Sequence, residues 1–304
     1  MKDGIVRLSD GRSVALATYG AETGRPVFVL HGTPVCRLGM DIVDQTVRSR
    51  GVRLLAPDRP GIGGTDPPLL PSAGAYAHEV ASIADALGIE RFAVIGYSGG
   101  APFALGCGAL LPDRLTAVAT MGGVIRPDTR ALREALGPED RHVLTLLARG
   151  DDAAASRYLR LLAMAVRWAP GLLLALMKRA LDESDRRVVG RWLIPTITVA
   201  FAQGTGGVLN DYRLWAAPWG FELADIRVPL DVWHGLDDRD VGTVHAETLA
   251  AAVPGANLHL VPRTGHFALV THIGESLDVL AAAESGRIEA RHGEKGGPPP
   301  GTRR

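Results

Sequence analysis

The 304-residue sequence predicts an α/β fold with a parallel β-sheet. Short apolar runs recur along the chain, and spacers of helical length separate them. The runs are continuous rather than alternating, which is typical of strands buried on both faces of a parallel sheet. Regular alternation of such strands with helices predicts right-handed β-α-β crossovers, with helices on both faces of the sheet.

The first predicted element is an antiparallel hairpin. Asp10-Gly11 is a strong two-residue turn signal between the segments Ile5–Leu8 and Ser13–Thr18. The parallel strands predicted after it are Val27–Leu30, Val52–Ala56, Phe92–Ile95, Ala117–Met121, Leu230–Trp233 and Leu258–Val261. The predicted helices between them lie around residues 35–49, 74–87, 99–111, 243–253 and 267–284.

A long interval between Met121 and Leu230 lacks a convincing buried strand. An amphipathic helix is predicted after Asp151/Asp152, a leucine-rich helix follows Pro170, and another is predicted over Asp185–Leu193. A structureless loop of this length is uncommon in a compact domain. We therefore predict a helical cap at residues 126–220, inserted into a core of residues 1–125 and 221–286. The Pro- and Gly-rich residues 287–304 are predicted to be disordered.

The composition disfavours several classes of protein. Basic and acidic side chains number 33 each, so the formal net charge of zero argues against a dedicated binder of nucleic acid or of anionic membranes. Cys36 and Cys107 cannot form a disulfide scaffold and lack metal-ligand spacing. The apolar stretch Leu161–Met177 is interrupted by Arg167 and Pro170 and is too short for a membrane span. These features predict a cytoplasmic protein.

The most informative segment is Phe92-Ala93-Val94-Ile95-Gly96-Tyr97-Ser98-Gly99-Gly100. A predicted strand enters Gly-x-Ser-x-Gly there and continues into a helix, which is the arrangement of a nucleophile elbow. The serine of such an elbow lies at a sharp, strained turn, and the N–H groups of the following helix favour negative charge beside it. The alternative, a glycine-rich turn with an incidental serine, leaves the residues described next unexplained. Ser98 is the candidate nucleophile.

A second loop at the same end of the sheet is the candidate oxyanion hole. His31-Gly32-Thr33-Pro34 directly follows the predicted strand Val27–Leu30. Gly32 permits a close backbone approach, and we expect the N–H groups of Thr33 and Tyr97 to hold an oxyanion. His31 is expected to shape this loop rather than to transfer a proton.

The candidate proton carrier and its acid follow the last two predicted strands. His266 comes shortly after Leu258–Val261, at the carboxyl end of that strand. The preceding strand is followed by three acids, Asp237, Asp238 and Asp240. Serine, acid and histidine therefore occur in the chain order expected for an elbow-type triad. Activity is expected to rise with pH through about 6–7, the ordinary range of a histidine base.

These motifs together resemble those of the α/β-hydrolases. The matching segments are His31-Gly32-Thr33-Pro34, Asp58-Arg59-Pro60-Gly61-Ile62-Gly63, Gly96-Tyr97-Ser98-Gly99-Gly100, His234-Gly235-x-x-Asp238-x-x-Val241 and Gly265-His266-Phe267. The resemblance covers roughly residues 10–284, with the predicted cap only loosely matched. It implies an eight-stranded, mostly parallel sheet, a helical lid after the sixth strand, and no cofactor or metal.

The family pattern identifies Asp238 as the acid that orients His266, because it lies three residues after the glycine of His-Gly. Asp237 comes one residue early in that pattern. Asp240 is better explained as a helix cap or a solvated charge. Asp128 remains an alternative, because some family members keep their acid after the sixth strand.

The resemblance implies a serine hydrolase that cleaves carboxylic esters through an acyl-enzyme. We expect a small to medium apolar or aromatic substrate and a monomer or homodimer. The tryptophans of the predicted cap are expected either to line the substrate pocket or to pack the cap on the core; they are Trp168, Trp192, Trp215 and Trp219. The same triad also serves C–C bond hydrolysis, amide hydrolysis or cofactor-free perhydrolysis, and some members are ligand-binding receptors with little turnover.

Overall fold

One β-sheet organises the chain. The computed structural model describes the backbone of residues 1–295 and the side chains of residues 1–284. The strands of this part are β1 (Lys2–Arg7), β2 (Ser13–Gly20), β3 (Arg25–Leu30), β4 (Val52–Pro57), β5 (Phe92–Tyr97), β6 (Leu115–Met121), β7 (Leu230–Gly235) and β8 (Asn257–Val261). Across this described region they form one eight-stranded sheet in the order β1-β2-β4-β3-β5-β6-β7-β8. Strand β2 is antiparallel to β1 and β4, and the later neighbours are parallel. The predicted fold class is confirmed.

Helices follow most of the parallel strands. Their bounds are α1 (Asp44–Ser49), α2 (Tyr76–Ala86), α3 (Ala101–Leu110), α4 (Arg130–Glu134), α5 (Pro138–Ala148), α6 (Asp152–Trp168), α7 (Pro170–Ala180), α8 (Glu183–Val188), α9 (Leu193–Ala200), α10 (Gly206–Ala216), α11 (Val244–Ala252) and α12 (Ala268–Lys295). Short 3₁₀ segments precede α1 and α3, at Arg37–Val43 and Ser98–Gly100. The predicted helix around residues 35–49 is thus 3₁₀ in its first half.

The core has two layers, one on each face of the sheet. Successive residues of a strand point to opposite faces, and β3 illustrates the result: Val27 and Val29 belong to one buried cluster, whereas Phe28 and Leu30 belong to the other. Helices α1 and α12 pack in the first cluster, and α2, α3 and α11 pack in the second. Both faces of the central parallel strands are buried, which explains their continuous apolar sequences, whereas the edge strand β8 is largely exposed.

The interval between β6 and β7 is helical and comprises α4 to α10. Most of its buried side chains, including Leu159, Val166 and Ile197, join the first core cluster. The helix predicted over Asp185–Leu193 is wrong in its bounds. Asp182 caps α8 by accepting the N–H groups of Ser184 and Asp185, so the helix begins earlier, and it ends at Val188.

The last helix extends further than the sequence suggested. Residues 287–295, predicted to be disordered, belong to α12, which runs to Lys295. Glu, Ala, Arg and Lys dominate this stretch, and their helix propensity outweighs its polarity. The remaining residues of the predicted disordered tail, 296–304, lie outside the described part of the chain.

Helices α6 and α7 have an unusual composition and shape. Together they are long and apolar enough to resemble a membrane span, but a bend of 115° separates them. Within the described residues no single helix is long and apolar enough to cross a bilayer.

Candidate active site

Ser98 lies at the strained turn between β5 and α3. Its φ of 51° is in the left-handed region, which non-glycine residues rarely adopt. Gly96 and Gly100, two residues to either side, are needed for this turn. A Cβ on Gly96 would crowd Ala101 of α3, and one on Gly100 would overlap the Leu30 carbonyl oxygen. The elbow therefore brings β3, β5 and α3 into backbone contact beneath the serine.

Three side chains from separate loops form a continuous hydrogen-bonded chain. The Ser98 Oγ lies 2.9 Å from His266 Nε2, and His266 Nδ1 lies 2.9 Å from Asp238 Oδ2. The other carboxylate oxygen of Asp238 accepts the backbone N–H groups of Asp240 and Val241 at 2.9 and 2.8 Å. These bonds hold the carboxylate rigidly, and its contact with Nδ1 leaves Nε2 free to face the serine hydroxyl.

The alternative acids lie elsewhere. Asp237 is exposed to solvent, and its backbone N–H donates to the loop before His266. Asp128 forms an exposed ion pair with Arg126. Asp240 contributes a backbone N–H to Asp238 rather than a carboxylate to His266. The geometry therefore brings Asp238 alone of these candidates into contact with His266.

The charges around His266 determine its protonation. Burial alone would lower the pKa of His266, but the carboxylates of Asp238, Asp240 and Asp185 outweigh burial and raise it above its ordinary value of 6.5. For Asp238, burial acts to raise the pKa, and His266 and His234 nevertheless hold it well below its usual range. The pair thus favours an imidazolium beside a carboxylate, which is the charge state that forms when histidine takes a proton.

The predicted oxyanion loop faces the serine. A Cβ on Gly32 would lie 3.1 Å from the Cβ of Ser98, so glycine keeps the space above the hydroxyl open. A Cβ on Gly99 would lie 3.0 Å from Thr33 Oγ1, which places Thr33 and Gly99 side by side.

The prediction of Tyr97 as an oxyanion donor does not fit this geometry. Tyr97 is the last residue of β5 and pairs in register with Met121, so its backbone lies in the sheet. Gly99 instead follows the nucleophile at the start of a helical turn, where N–H groups have no partner within the helix. The Tyr97 side chain packs against the imidazole, with ring centroids 5.4 Å apart.

A buried ion pair supports the oxyanion loop. Arg59 and Asp211 are 1% and 3% exposed, and two guanidinium nitrogens donate to the two carboxylate oxygens at 3.0 and 2.6 Å. The same guanidinium donates to the His31 carbonyl at 2.7 Å, and the Thr33 hydroxyl donates to Asp211 at 2.7 Å. Arg59 comes from the loop after β4 and Asp211 from α10, so the helical interval and the core both hold this loop.

A second carboxylate from the helical interval holds the histidine loop. Asp185 of α8 accepts the backbone N–H of His266 at 2.7 Å and that of Phe267 at 2.9 Å. Gly265 makes room for it, because a Cβ there would overlap the carboxylates of Asp182 and Asp185. Burial, followed by the neighbouring Asp182, raises the pKa of Asp185 to about 7. Nothing in the sequence marks Asp185 or Asp211 as partners of loops so distant along the chain.

The four predicted pocket tryptophans have different positions. Trp215 is fully buried against the elbow, and its Nε1 donates to the Gly99 carbonyl. Trp192 packs edge-on against Phe267, beside His266. Trp168 fits neither expectation, and Trp219 fits packing in the core rather than the pocket. Trp168 is 75% exposed, because its helix turns that side to solvent, and Trp219 stacks on Phe221 in the core cluster on the opposite face of the sheet.

The site is nearly closed to solvent. Ser98 and His266 are each 7% exposed, and Asp238 is 9% exposed. In the described region of the chain, no group of three His, Cys, Asp or Glu side chains is arranged to hold a metal ion.

Comparisons with known proteins agree with this architecture. A family model described as the alpha/beta hydrolase fold matches residues 25–273. A 2-hydroxymuconate semialdehyde hydrolase of Pseudomonas putida is 26% identical over 286 residues, covering 86% of this chain and 89% of that protein. A 2-hydroxy-6-oxo-6-phenylhexa-2,4-dienoate hydrolase of Burkholderia cepacia is 26% identical over 273 residues, with the same coverage of both chains.

Solved structures share the fold at low sequence identity. An esterase from a Rhodococcus species has a TM-score of 0.66 and 18% identity, covering 94% of this chain and 99% of that one. A bromoperoxidase from Bacillus anthracis has a TM-score of 0.69 and 16% identity, covering 92% and 100%. The fold, the elbow and the match along most of the chain define a hydrolase. The protein belongs to the alpha/beta hydrolase fold family.

The charges facing His266 predict a raised titration midpoint. We expect the imidazole to titrate above 6.5, because burial is outweighed by Asp238, Asp240 and Asp185. This expectation replaces the range of about 6–7 for an ordinary histidine base. Asp238→Asn should lower the midpoint, and Asp237→Asn, at the exposed neighbour, should leave it unchanged. NMR of ¹³C-labelled histidine measures this, with the signal assigned by its loss in His266→Gln. A midpoint at or below 6.5 in the unsubstituted protein would contradict the prediction.

Asp185→Asn should disturb His266 through its backbone. The asparagine amide has one acceptor oxygen for the two backbone N–H groups of His266 and Phe267. One N–H is then left buried without a partner, which costs about 1–3 kcal/mol of free energy. We expect hydrolytic turnover to fall about 10-fold, near the lower end of that range. The His266 midpoint should also fall, because a negative charge is lost. Glu183→Gln, an exposed neighbour in the same helix, is the matched control. Equal turnover and equal midpoints in both variants would show that Asp185 does not position His266.

Proposed function

We propose that this protein is a serine hydrolase that cleaves a carboxylic ester of a small to medium apolar or aromatic substrate through an acyl-enzyme. The single observation behind the proposal is the chain of contacts from Ser98 Oγ to His266 Nε2 and from His266 Nδ1 to Asp238 Oδ2, both 2.9 Å. Nucleophile, base and orienting acid are within hydrogen-bond distance at a strained elbow, which is the geometry that nucleophilic catalysis needs.

In the proposed mechanism Ser98 Oγ attacks the ester carbonyl while Nε2 of neutral His266, the form present above its raised midpoint, takes the serine proton. Asp238 accepts the Nδ1–H and balances the imidazolium. The N–H groups of Thr33 and Gly99 hold the oxyanion, and Gly99 takes the role first predicted for Tyr97. The imidazolium then protonates the leaving alkoxide. Water, activated by His266, releases the acid from the acyl-enzyme.

The side chains near the triad support an apolar acyl group. The aromatic rings of Tyr97, Trp192 and Phe267 are close to the imidazole or to each other, and Trp215 lies beneath Gly99. A closed site with aromatic walls favours substrates that lose little hydration on entry.

A second candidate is hydrolysis of an unsaturated oxo acid, as the names of two relatives that cover most of the chain indicate. The electrostatics around His266 disfavour it. Besides Asp238, three acidic side chains interact electrostatically with His266, namely Asp140, Asp185 and Asp240. The buried guanidinium of Arg59 is already paired with Asp211. A substrate with its own carboxylate would enter a region that already contains several carboxyl groups, so a neutral ester is favoured.

We also propose that the protein acts in the cytoplasm on a small apolar molecule, as a monomer or homodimer, without nucleic acid or a membrane span. Cys36 and Cys107 are both free thiols, as is usual for proteins of a reducing compartment.

The first test concerns Ser98. Ser98→Ala should abolish turnover of a p-nitrophenyl ester, with losses of up to about 10⁶ known for comparable nucleophiles. The variant should also lose labelling by a fluorophosphonate, while its thermal unfolding midpoint stays near that of the unsubstituted protein. Retention of more than about a hundredth of kcat would exclude Ser98 as the nucleophile. A protein that is labelled once yet shows no steady turnover would be a ligand-binding receptor instead.

The second test distinguishes the two substrate classes. We expect kcat/KM for a neutral aryl ester to exceed that for the same ester with a terminal carboxylate by at least about 10-fold, because like charges in the site oppose the anion. A panel that pairs each neutral ester with its carboxylate analogue, together with a 2-hydroxy-6-oxo-dienoate, measures the preference. Faster turnover of the dienoate than of every ester would favour the second candidate.

A further inference from the structure

Helices α6 and α7 expose an apolar surface. The large apolar side chains on it, here called the apolar face, are Leu161 (60% exposed), Met164 (51%), Trp168 (75%), Leu172 (64%) and Leu176 (52%). Helix α7 has no fully buried side chain, although it contains four leucines and a methionine. Leu173, Leu174 and Met177 pack partly buried against the core, whereas Leu172 and Leu176 face away from it.

Basic residues surround the apolar face. Between Asp152 and Asp182 the sequence contains no acid, and its basic residues are Arg157, Arg160, Arg167, Lys178 and Arg179. Among the residues with described side chains, none of these five takes part in a salt bridge. Arg167 instead lies over the ring of Trp168, 5.4 Å from its centroid. A formal charge of +5 is thus concentrated in residues 153–181 of a chain that is neutral overall.

The positive charges and the apolar residues share one side of α6. Spacings of three and four residues bring side chains to the same helix face, and Arg157, Arg160 and Arg167 are exposed beside Leu161, Met164 and Trp168. The buried residues of the helix, Ala155, Leu159 and Val166, lie on the opposite face. Helices with basic and apolar residues exposed together and with an exposed tryptophan are typical of binding at a membrane interface.

We propose that the α6–α7 hairpin docks on the surface of an anionic lipid bilayer. The apolar face would enter the boundary between headgroups and acyl chains, and the five basic residues would contact lipid phosphates or carboxylates. The 115° bend excludes a straight span, and it presents Trp168 and Leu172 at the corner of the hairpin. The net charge of zero predicts no anionic-membrane partner. A neutral chain can nevertheless bind an anionic surface where its basic residues are clustered, as they are here.

The charge also decides between a bilayer and a second copy of this chain. A twofold dimer built on the apolar face would bring each cluster of five basic residues against its own copy. Like charges in an interface oppose association. An anionic lipid surface supplies the opposite charge over the whole patch.

The test is sedimentation of the intact protein with sucrose-loaded vesicles. One set is pure phosphatidylcholine, and the other contains about a third phosphatidylglycerol. We expect binding to the anionic vesicles that weakens as salt is raised, and little binding to the neutral ones. The triple variant Arg160→Gln/Arg167→Gln/Arg179→Gln should bind about 100-fold more weakly, at about 5-fold for each lost charge. Trp168→Ser/Leu172→Ser should bind at least about 10-fold more weakly.

Leu110→Ser and Arg227→Gln are the matched controls, because these residues are exposed but lie outside the hairpin. Both should bind like the unsubstituted protein. All variants should keep turnover of a short water-soluble ester, which separates docking from catalysis and from folding. Binding that is absent from anionic vesicles at low salt, or equal in all variants, would overturn the proposal. A concentration-dependent dimer in light scattering that Trp168→Ser/Leu172→Ser dissociates, without vesicle binding, would identify a second copy as the occupant.

Discussion

The left-handed backbone of Ser98 is the constraint around which the site is built. Such a conformation costs on the order of 1–3 kcal/mol in a non-glycine residue and persists only when the surrounding structure enforces it. Here β3, β5 and α3 enforce it by packing backbone against backbone at Gly96 and Gly100. The hydroxyl consequently projects from the carboxyl end of the sheet, and the loops after the neighbouring strands converge on it.

Those loops are not held by the sheet alone. The helical interval contributes Asp185 to the backbone of His266 and Phe267, and Asp211 to Arg59 and Thr33. Removing one partner of a buried ion pair lowers the free energy of unfolding by about 3–5 kcal/mol, because the other charge is left unpaired. The contact of Asp211 with Arg59 is therefore a strong restraint. The core provides Ser98, His266 and Asp238, and the helical interval fixes the loop that carries His266 and the loop that carries Thr33.

The features predicted well from the sequence are those encoded by local patterns. Continuous apolar runs identified the strands, Asp10-Gly11 identified the hairpin, and glycine spacing identified the elbow at Ser98. Asp185 and Asp211 escaped prediction because their partners lie 81 and 152 positions away. The prediction of Tyr97 as a donor fails because local sequence does not show where β5 ends and the turn begins. Tryptophan is a large apolar residue, which favours burial of Trp168. The residue nevertheless lies on the same exposed side of α6 as Arg160 and Arg167.

The near-complete burial of Ser98 has a further consequence. Ser98 and His266 are each 7% exposed, and α8 and α10 contribute Asp185 and Asp211 to the loops beside them. Any opening that lifts α8 and α10 away from the sheet removes the acceptors of the His266 loop and the restraint on Thr33. The accessible conformation would then be chemically incompetent, and the competent conformation would be inaccessible. Access to the serine and the arrangement of the groups beside it would then depend on the same two helices.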